Sequence, residues 1–139
     1  MPVIALIGDI GGTNVRLSLK RLNLQTRTSD DIIPLTKFKA QDQASVHATI
    51  MLFLKDITAL GGTRSKNRPT VGAIGLAGEV KDGRASVTNV PHWPKVDEIQ
   101  IQQFCNIKSF KLLNDFAAFG LGIDLLMEKD VIYLNNSPI

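Results

Sequence analysis

The strongest constraint on this fold is a change of hydrophobic period near residue 42. Upstream, apolar side chains come as a short run or alternate in twos; downstream they recur every three or four positions. Val3 to Ile10 is a nearly continuous apolar run, the pattern of a buried strand. Val15, Leu17 and Leu19 then alternate with Arg16, Ser18 and Lys20, as on a half-buried strand. "IIPLTKF", from Ile32, predicts a third strand, at a sheet edge because Pro34 has no N–H to give a neighbour. Between Asp42 and Leu60 the apolar positions become Val46, Ile50, Phe53, Ile57 and Leu60. That is one face of a helix, with Asp42 as N-cap, Gly61-Gly62 as its end and Met51 as core filler at the margin of the stripe. An antiparallel meander followed by a helix predicts an α/β chain with a mixed sheet.

The remainder fits that class. "TVGAIGLAG" reads as a central strand, and Asp82-Gly83 sits between two short alternating segments as in a tight hairpin. Pro91 and Pro94 interrupt regular structure, and Asp97 is placed to cap a short helix through Phe104. "SFKLLN" is a further buried strand, a helix starts at Asn114-Asp115, and a last strand is expected from Val131 to Leu134. With 139 residues and no repeats, one domain is expected. The end, "VIYLNNSPI", follows a strand with no closing helix, and reads as a chain cut from something longer.

Bulk chemistry narrows the function classes. An apolar content of 44% with 21% charged residues excludes disorder as the main state. The net charge of +3 is spread along the chain; its densest patch, Arg64 to Arg68, reads as a solvated loop, so no nucleic-acid partner is expected. Cys105 is the single cysteine, which excludes an internal disulfide and suits a reducing compartment. No apolar run is long enough to span a membrane and no secretory leader is visible, so a cytoplasmic location is expected.

The first turn carries more polar chemistry than a hairpin needs. In "GDIGGTN", Gly11-Gly12 lets the backbone approach a ligand and take up positive φ. Successive N–H groups in such a turn form an anion concavity, to which Thr13 and Asn14 add side-chain donors. Asp9 makes sense beside phosphate if hydrated Mg²⁺ lies between them. There is no G-x-x-x-x-G-K-[ST] and no G-x-G-x-x-G opening a helix. A glycine-rich hairpin with a capping Asp is the competing reading.

A second acid lies late in the chain. "LLNDFAAFG" sets Asn114 and Asp115 where a strand becomes a helix, at the carboxyl end of a strand where α/β proteins gather ligands. There an Asp accepts the proton of a substrate hydroxyl while an Asn orients another. Helix capping explains the same pair on its own. Trp93 either stacks on the flat face of a ligand or packs between the prolines, with packing the simpler reading, and His92 reads as a surface histidine.

Together "GDIGGTNVRL", "GLAGEV", "TNVPHWP" and "LLNDFAAFG" resemble, in order and spacing, the bacterial-type glucokinases of the sugar kinase, actin and heat-shock-chaperone ATPase superfamily. The resemblance covers essentially the whole chain. It implies a ribonuclease-H-like mixed sheet with flanking helices, and residues 1–139 as the N-terminal lobe without its C-terminal partner. It also implies ATP-dependent phosphorylation of glucose or a related hexose, with Mg²⁺. By the same resemblance Gly8, Asp9, Ile10, Gly11, Gly12, Thr13 and Asn14 form the first phosphate segment for ATP. Asp115 is the base for the sugar's 6-hydroxyl, Asn114 a sugar ligand, and Thr88-Asn89 lies near the sugar cleft. Asn89 is either a ligand or a turn stabiliser. Arg16 belongs to the motif and is placed to pair with an acid on the sheet. Glu79 departs from the family's proline. Half a cleft neither excludes water nor holds ATP, so the isolated chain is expected to lack turnover. A sugar-sensing relative and a non-catalytic interaction module are the alternatives; sugar titration separates the module from the other two. A homodimer stays open.

Overall fold

A computed structural model describes residues 2–59 and 66–132 of the chain. Strands β1 (Val3–Ile10), β2 (Asn14–Asn23) and β3 (Thr28–Lys39) form the expected antiparallel meander. Helix α1 (Val46–Ala59) crosses to β4 (Val71–Leu76), which lies parallel to β1. A small sheet of β5 (Val80–Lys81), β6 (Arg84–Ala85) and β7 (Val96–Asp97) follows. Helix α2 (Glu98–Phe104) then leads to β8 (Ser109–Asn114), parallel to β4, and α3 (Asp115–Gly122) comes after it. The main sheet runs β3-β2-β1-β4-β8, a mixed order with the meander on one side and parallel strands on the other. This is the ribonuclease-H-like arrangement expected.

One face of the sheet makes the core, and glycines set how closely its side chains pack. A Cβ at Gly8 would lie 2.8 Å from Leu17 Cδ2 and 2.9 Å from Ile74 Cγ1, its cross-strand neighbours. At Gly72 it would lie 2.6 Å from the Phe110 ring. Leu6, Ile10, Val15, Leu17, Leu19, Ile74 and Leu76 are fully buried there, joined by Ile50 of α1 and Ile101 of α2. The opposite face is covered only in part. Ala5 and Ser18 are buried, but Ile7 is 36% exposed and Ala73 and Lys111 face solvent.

Local chemistry explains the departures from expectation. α1 starts four residues after Asp42, and its cap is Ser45, whose Oγ accepts the Ala48 N–H at 3.0 Å. Residues Ala40–Asp42 form a 3₁₀ turn instead, because Ala40 is buried and its N–H bonds to the Thr13 carbonyl at 2.9 Å. Trp93 Nε1 donates to the Gln43 carbonyl at 2.8 Å and holds that residue extended. β3 is longer than predicted and does lie at the edge. Pro34 falls in a bulge, where Leu17 and Leu19 pair with Thr36 and Ile33. Met51 is exposed rather than core. Val131 and Ile132 are not in a strand, and Tyr133 and Leu134 lie outside the described residues, as do Leu60 and the Gly61-Gly62 helix end. Of the basic patch, Arg64 and Ser65 lie outside too, while Arg68 turns inward and donates to the Cys105 carbonyl at 3.3 Å. No helix among the described residues is long and apolar enough to cross a membrane.

Candidate functional site

Three parallel strands end in one row. The register places Ile10 of β1 beside Leu76 of β4, and Leu76 beside Asn114 of β8. With strands about 4.8 Å apart, the first turn and the Asn114-Asp115 step are separated by about 10 Å along the sheet edge. Asp9 shares its face with Gly75. A Cβ on Gly75 would sit 3.3 Å from Ala118 Cβ and 3.8 Å from Asp115 Cα. The two acids therefore lie at the same end and on the same, partly uncovered, face of the sheet.

The first turn is closed by the Gly11 N–H donating to the Asn14 carbonyl at 2.9 Å. The N–H groups of Gly12 and Thr13, and the side chains of Thr13 and Asn14, make no hydrogen bond among the described residues. They remain as donors for an anion. Positive φ is not what the two glycines supply: among the described glycines only Gly83, in the β5–β6 hairpin, has it. A Cβ on Gly11 would meet only the Asn14 carbonyl, at an ordinary 3.7 Å, so the fold itself does not demand glycine there. An approaching ligand would. At Gly12 the reason is internal, because a Cβ would lie 2.4 Å from the Thr88 carbonyl oxygen and 2.8 Å from Asn89 Cβ. Gly8 and Ile10 point into the core, so any part they take in holding phosphate is confined to shaping the turn.

Asp9 and Arg16 stand directly opposite each other on β1 and β2, with Arg16 Nη1 donating to Asp9 Oδ2 at 3.0 Å. Both are well exposed, so the pair adds about 0–1 kcal/mol to stability. Its geometric effect is larger: it fixes one carboxylate oxygen and leaves Oδ1 free. No cluster of three metal-binding side chains exists among the described residues. A hydrated Mg²⁺, which needs few protein ligands, fits a single free carboxylate oxygen beside open amides.

Asn114 does cap α3. Its Oδ1 accepts the N–H groups of Phe116 at 3.0 Å and Ala117 at 3.4 Å. It does more besides: Nδ2 donates to the Gly78 carbonyl at 2.8 Å, tying β8 to the loop after β4. One N–H of that amide is left for a ligand. Asp115, half-buried at the first turn of α3, accepts the Phe116 N–H through Oδ1 at 2.9 Å. Its second oxygen is available to take a proton.

The Thr88-Asn89 loop joins the same edge. Both the N–H and the Oγ1 of Thr88 donate to the Ala77 carbonyl at 2.8 Å, and the Ala77 N–H donates to the Ile10 carbonyl at 2.8 Å. Asn89 is held at φ 65°, in the left-handed region that Asn enters more readily than most non-glycine residues. Trp93 is buried and its ring nitrogen is used by Gln43, so it is a core residue; His92 is exposed and stacks edge-on against it. The sequence reading missed Ala77 and Gly78 as the backbone that binds these loops together. The second glycine of "GLAG" carried that signal, since a Cβ at Gly78 would lie 2.3 Å from the Ser86 carbonyl oxygen.

One concavity, of about 520 Å³, lies away from this edge and is lined by His47, Gln100, Gln103 and Phe104. Another, of about 470 Å³, reaches the edge at Gly78 and Thr88 and is bordered by Lys81, Arg84 and Lys95. Burial holds the His47 imidazole below its ordinary pKa, partly offset by Asp97. Neither concavity includes Asp9 or Asp115.

Known proteins share both pattern and fold. The family model described as Glucokinase matches residues 6–138. A glucokinase of Marinobacter nauticus is 25% identical over 134 residues, covering 96% of this chain and 37% of that protein. One from Colwellia psychrerythraea is 28% identical, covering 96% and 36%. The crystal structure of a glucokinase from an Antarctic psychrotroph superposes with a TM-score of 0.72 at 23% identity, over 91% of this chain and 36% of that one. A Balamuthia mandrillaris glucokinase, solved in complex with glucose, gives 0.61 at 20% identity, over 88% and 32%. The chain thus spans about a third of the length of these relatives. Because the family match runs through every strand end and loop that builds the open edge, this chain belongs to the glucokinase family.

Proposed function

We propose that this chain is the N-terminal lobe of an ATP-dependent hexose kinase that converts glucose to glucose 6-phosphate. The observation that carries the reading is the placement of the donor-rich turn and Asp115 on one face at one sheet edge, about 10 Å apart by strand spacing. That gap suits a triphosphate tail on one side and a hexose on the other. The free N–H groups of Gly12 and Thr13, with the side chains of Thr13 and Asn14, hold the phosphates. Asn114 and Asn89 bind sugar hydroxyls, and the Asn114 amide, pinned by Gly78, orients the sugar. A family relative bound to glucose supports the choice of sugar.

Asp115 takes the proton from the 6-hydroxyl as its oxygen bonds to the γ-phosphorus. The bond between that phosphorus and the β–γ bridging oxygen breaks, and ADP leaves. Mg²⁺, when bound, neutralises charge on the phosphate oxygens; Asp9 Oδ1 is the atom of this chain placed to hold one of its waters. Arg16 keeps Asp9 in that position.

Support for a second lobe comes from the uncovered face. α3 buries none of its residues; Phe116 is 83% exposed, Leu121 72% and Leu125 82%. Soluble single domains rarely leave so much contiguous apolar surface in water. The rest of a glucokinase-length chain covers this face, closes the cleft and excludes water from the transfer.

The test is Asp115→Asn in the full-length protein. Asparagine keeps the shape and loses the proton acceptor, so turnover in a coupled assay with glucose and ATP falls by about 10²–10⁴-fold. Glucose affinity by calorimetry stays within a few-fold. A variant that keeps near-normal turnover removes Asp115 from the base role, and a wild-type protein without hexose affinity removes the kinase reading itself.

A further inference from the structure

The phosphate turn and the sugar loop touch each other directly in this fold. Gly12, in the middle of the turn, packs so closely on the Thr88-Asn89 backbone that a Cβ would come within 2.4 Å of the Thr88 oxygen. The distance is to backbone, so the clash has no flexible side chain to relieve it. On its other side Thr88 is fixed by two hydrogen bonds to the Ala77 carbonyl. The neighbouring Gly78 carbonyl accepts from Asn114, and the Ala77 N–H returns to Ile10, the residue before the turn. The contacts form a closed ring: turn, sugar loop, β4 loop, and back to β1, with the Asn114-Asp115 step attached. Asn89, at φ 65°, sits at the point where Gly12 presses on the loop. Asn tolerates that conformation, and a Cβ on Gly12 would come within 2.8 Å of the Asn89 Cβ.

We propose that Gly12 is a positioning residue for the sugar side of the site: its missing side chain lets the turn seat Asn89, so hexose affinity depends on a residue of the phosphate turn even without nucleotide. The inference rests on the assignment of Asn89 to the sugar cleft. The same contact supports the turn from the other side, so loosening the loop also weakens phosphate binding. Gly11 provides the contrast. It lies in the same turn, but a methyl there has room, and it touches neither Thr88 nor Asn89.

The experiment compares wild type, Gly12→Ala, Gly11→Ala and Thr88→Val in the full-length protein. Glucose is titrated calorimetrically with no nucleotide, inorganic pyrophosphate is titrated separately, and amide hydrogen exchange is followed over residues 86–90. Gly12→Ala is expected to weaken glucose binding about tenfold or more and to speed exchange in that segment. Gly11→Ala is expected to keep glucose affinity within about twofold. Thr88→Val, which removes one anchor without adding bulk, is expected to weaken both glucose and pyrophosphate, and it carries the test if Gly12→Ala does not fold. Gly12→Ala with wild-type glucose affinity and unchanged exchange overturns the proposal. So does Gly11→Ala that weakens glucose as much as Gly12→Ala, or Thr88→Val without effect on pyrophosphate. If wild type binds no glucose, the hexose reading fails, while the exchange and pyrophosphate arms still decide whether Gly12 and Thr88 position the loop.

Discussion

At the scale of single residues, what matters most is where a side chain is missing. Gly8, Gly12 and Gly72 are each filled by a neighbour: Leu17 and Ile74, the Thr88 carbonyl, and the Phe110 ring. Gly8→Ala forces the first two apart in a fully buried layer, at a cost of about 1–3 kcal/mol. A lower urea midpoint at an unchanged slope is the expected result; an unchanged midpoint means the layer has slack not visible in its packing. Cys105 behaves as a small hydrophobe. Burial pushes its thiol up to about 11, partly offset by Arg68, so it stays protonated at neutral pH. The identities of Asp9, Thr13, Asn14, Asn114 and Asp115 were legible in the sequence as motif residues. Some of their hydrogen bonds were legible too, since Asn114 and Asp115 accept from the adjoining Phe116 N–H and Asp9 pairs with Arg16; a bond to a backbone group of a distant segment was not. The pairing of Asn114 with the Gly78 carbonyl, 36 residues away, is the plainest case.

Elements followed their patterns wherever period and turn chemistry agreed. The Asp82-Gly83 hairpin formed with both residues at positive φ, as a two-residue turn of that kind requires. Asp97 caps α2, accepting the N–H groups of Ile99 at 2.9 Å and Gln100 at 3.1 Å, and it also pairs with Arg84 at 2.8 Å. The Gln100 N–H and the Arg84 guanidinium hold its carboxyl below the ordinary carboxylate value. A depressed carboxyl stabilises the fold above the unfolded pKa of about 4 and loses that contribution as pH falls through the folded value. Asn caps a helix as well as Asp but cannot pair with Arg84. Asp97→Asn therefore lowers the thermal midpoint at pH 7, and the gap to wild type narrows by pH 3. Melting curves at the two pH values check this; a gap that stays constant shows that the charge contributes nothing. The start of α1 escaped the sequence reading. Asp42 and Ser45 are both good caps, and a hydrogen bond from Ala40 to Thr13 decided between them.

At the scale of the whole molecule the two faces of the sheet differ. One is packed by α1 and α2; the other carries the two acids and runs into the exposed apolar stretch from Phe116 to Ile132, whose last residue is 86% exposed. Unless a second lobe covers it, that stretch drives association. The 139-residue chain alone is expected to bind a dye such as ANS under native conditions and to sediment above monomer mass. Replacing Phe116, Phe119 and Leu121 together with serine restores a monomer; a wild-type chain that is monomeric and binds no dye refutes this. The sequence by itself determined the order of the main-sheet strands and of the helices, the sheet class and the residue types at the turn and the late Asn-Asp step, because hydrophobic period and turn chemistry are local. Only the tertiary structure decided that Ile10, Leu76 and Asn114 end in one row, that Gly12 rests on Thr88, and that one face stays open. Those outcomes depend on parallel register and on contacts between segments some tens of residues apart, which no local pattern encodes.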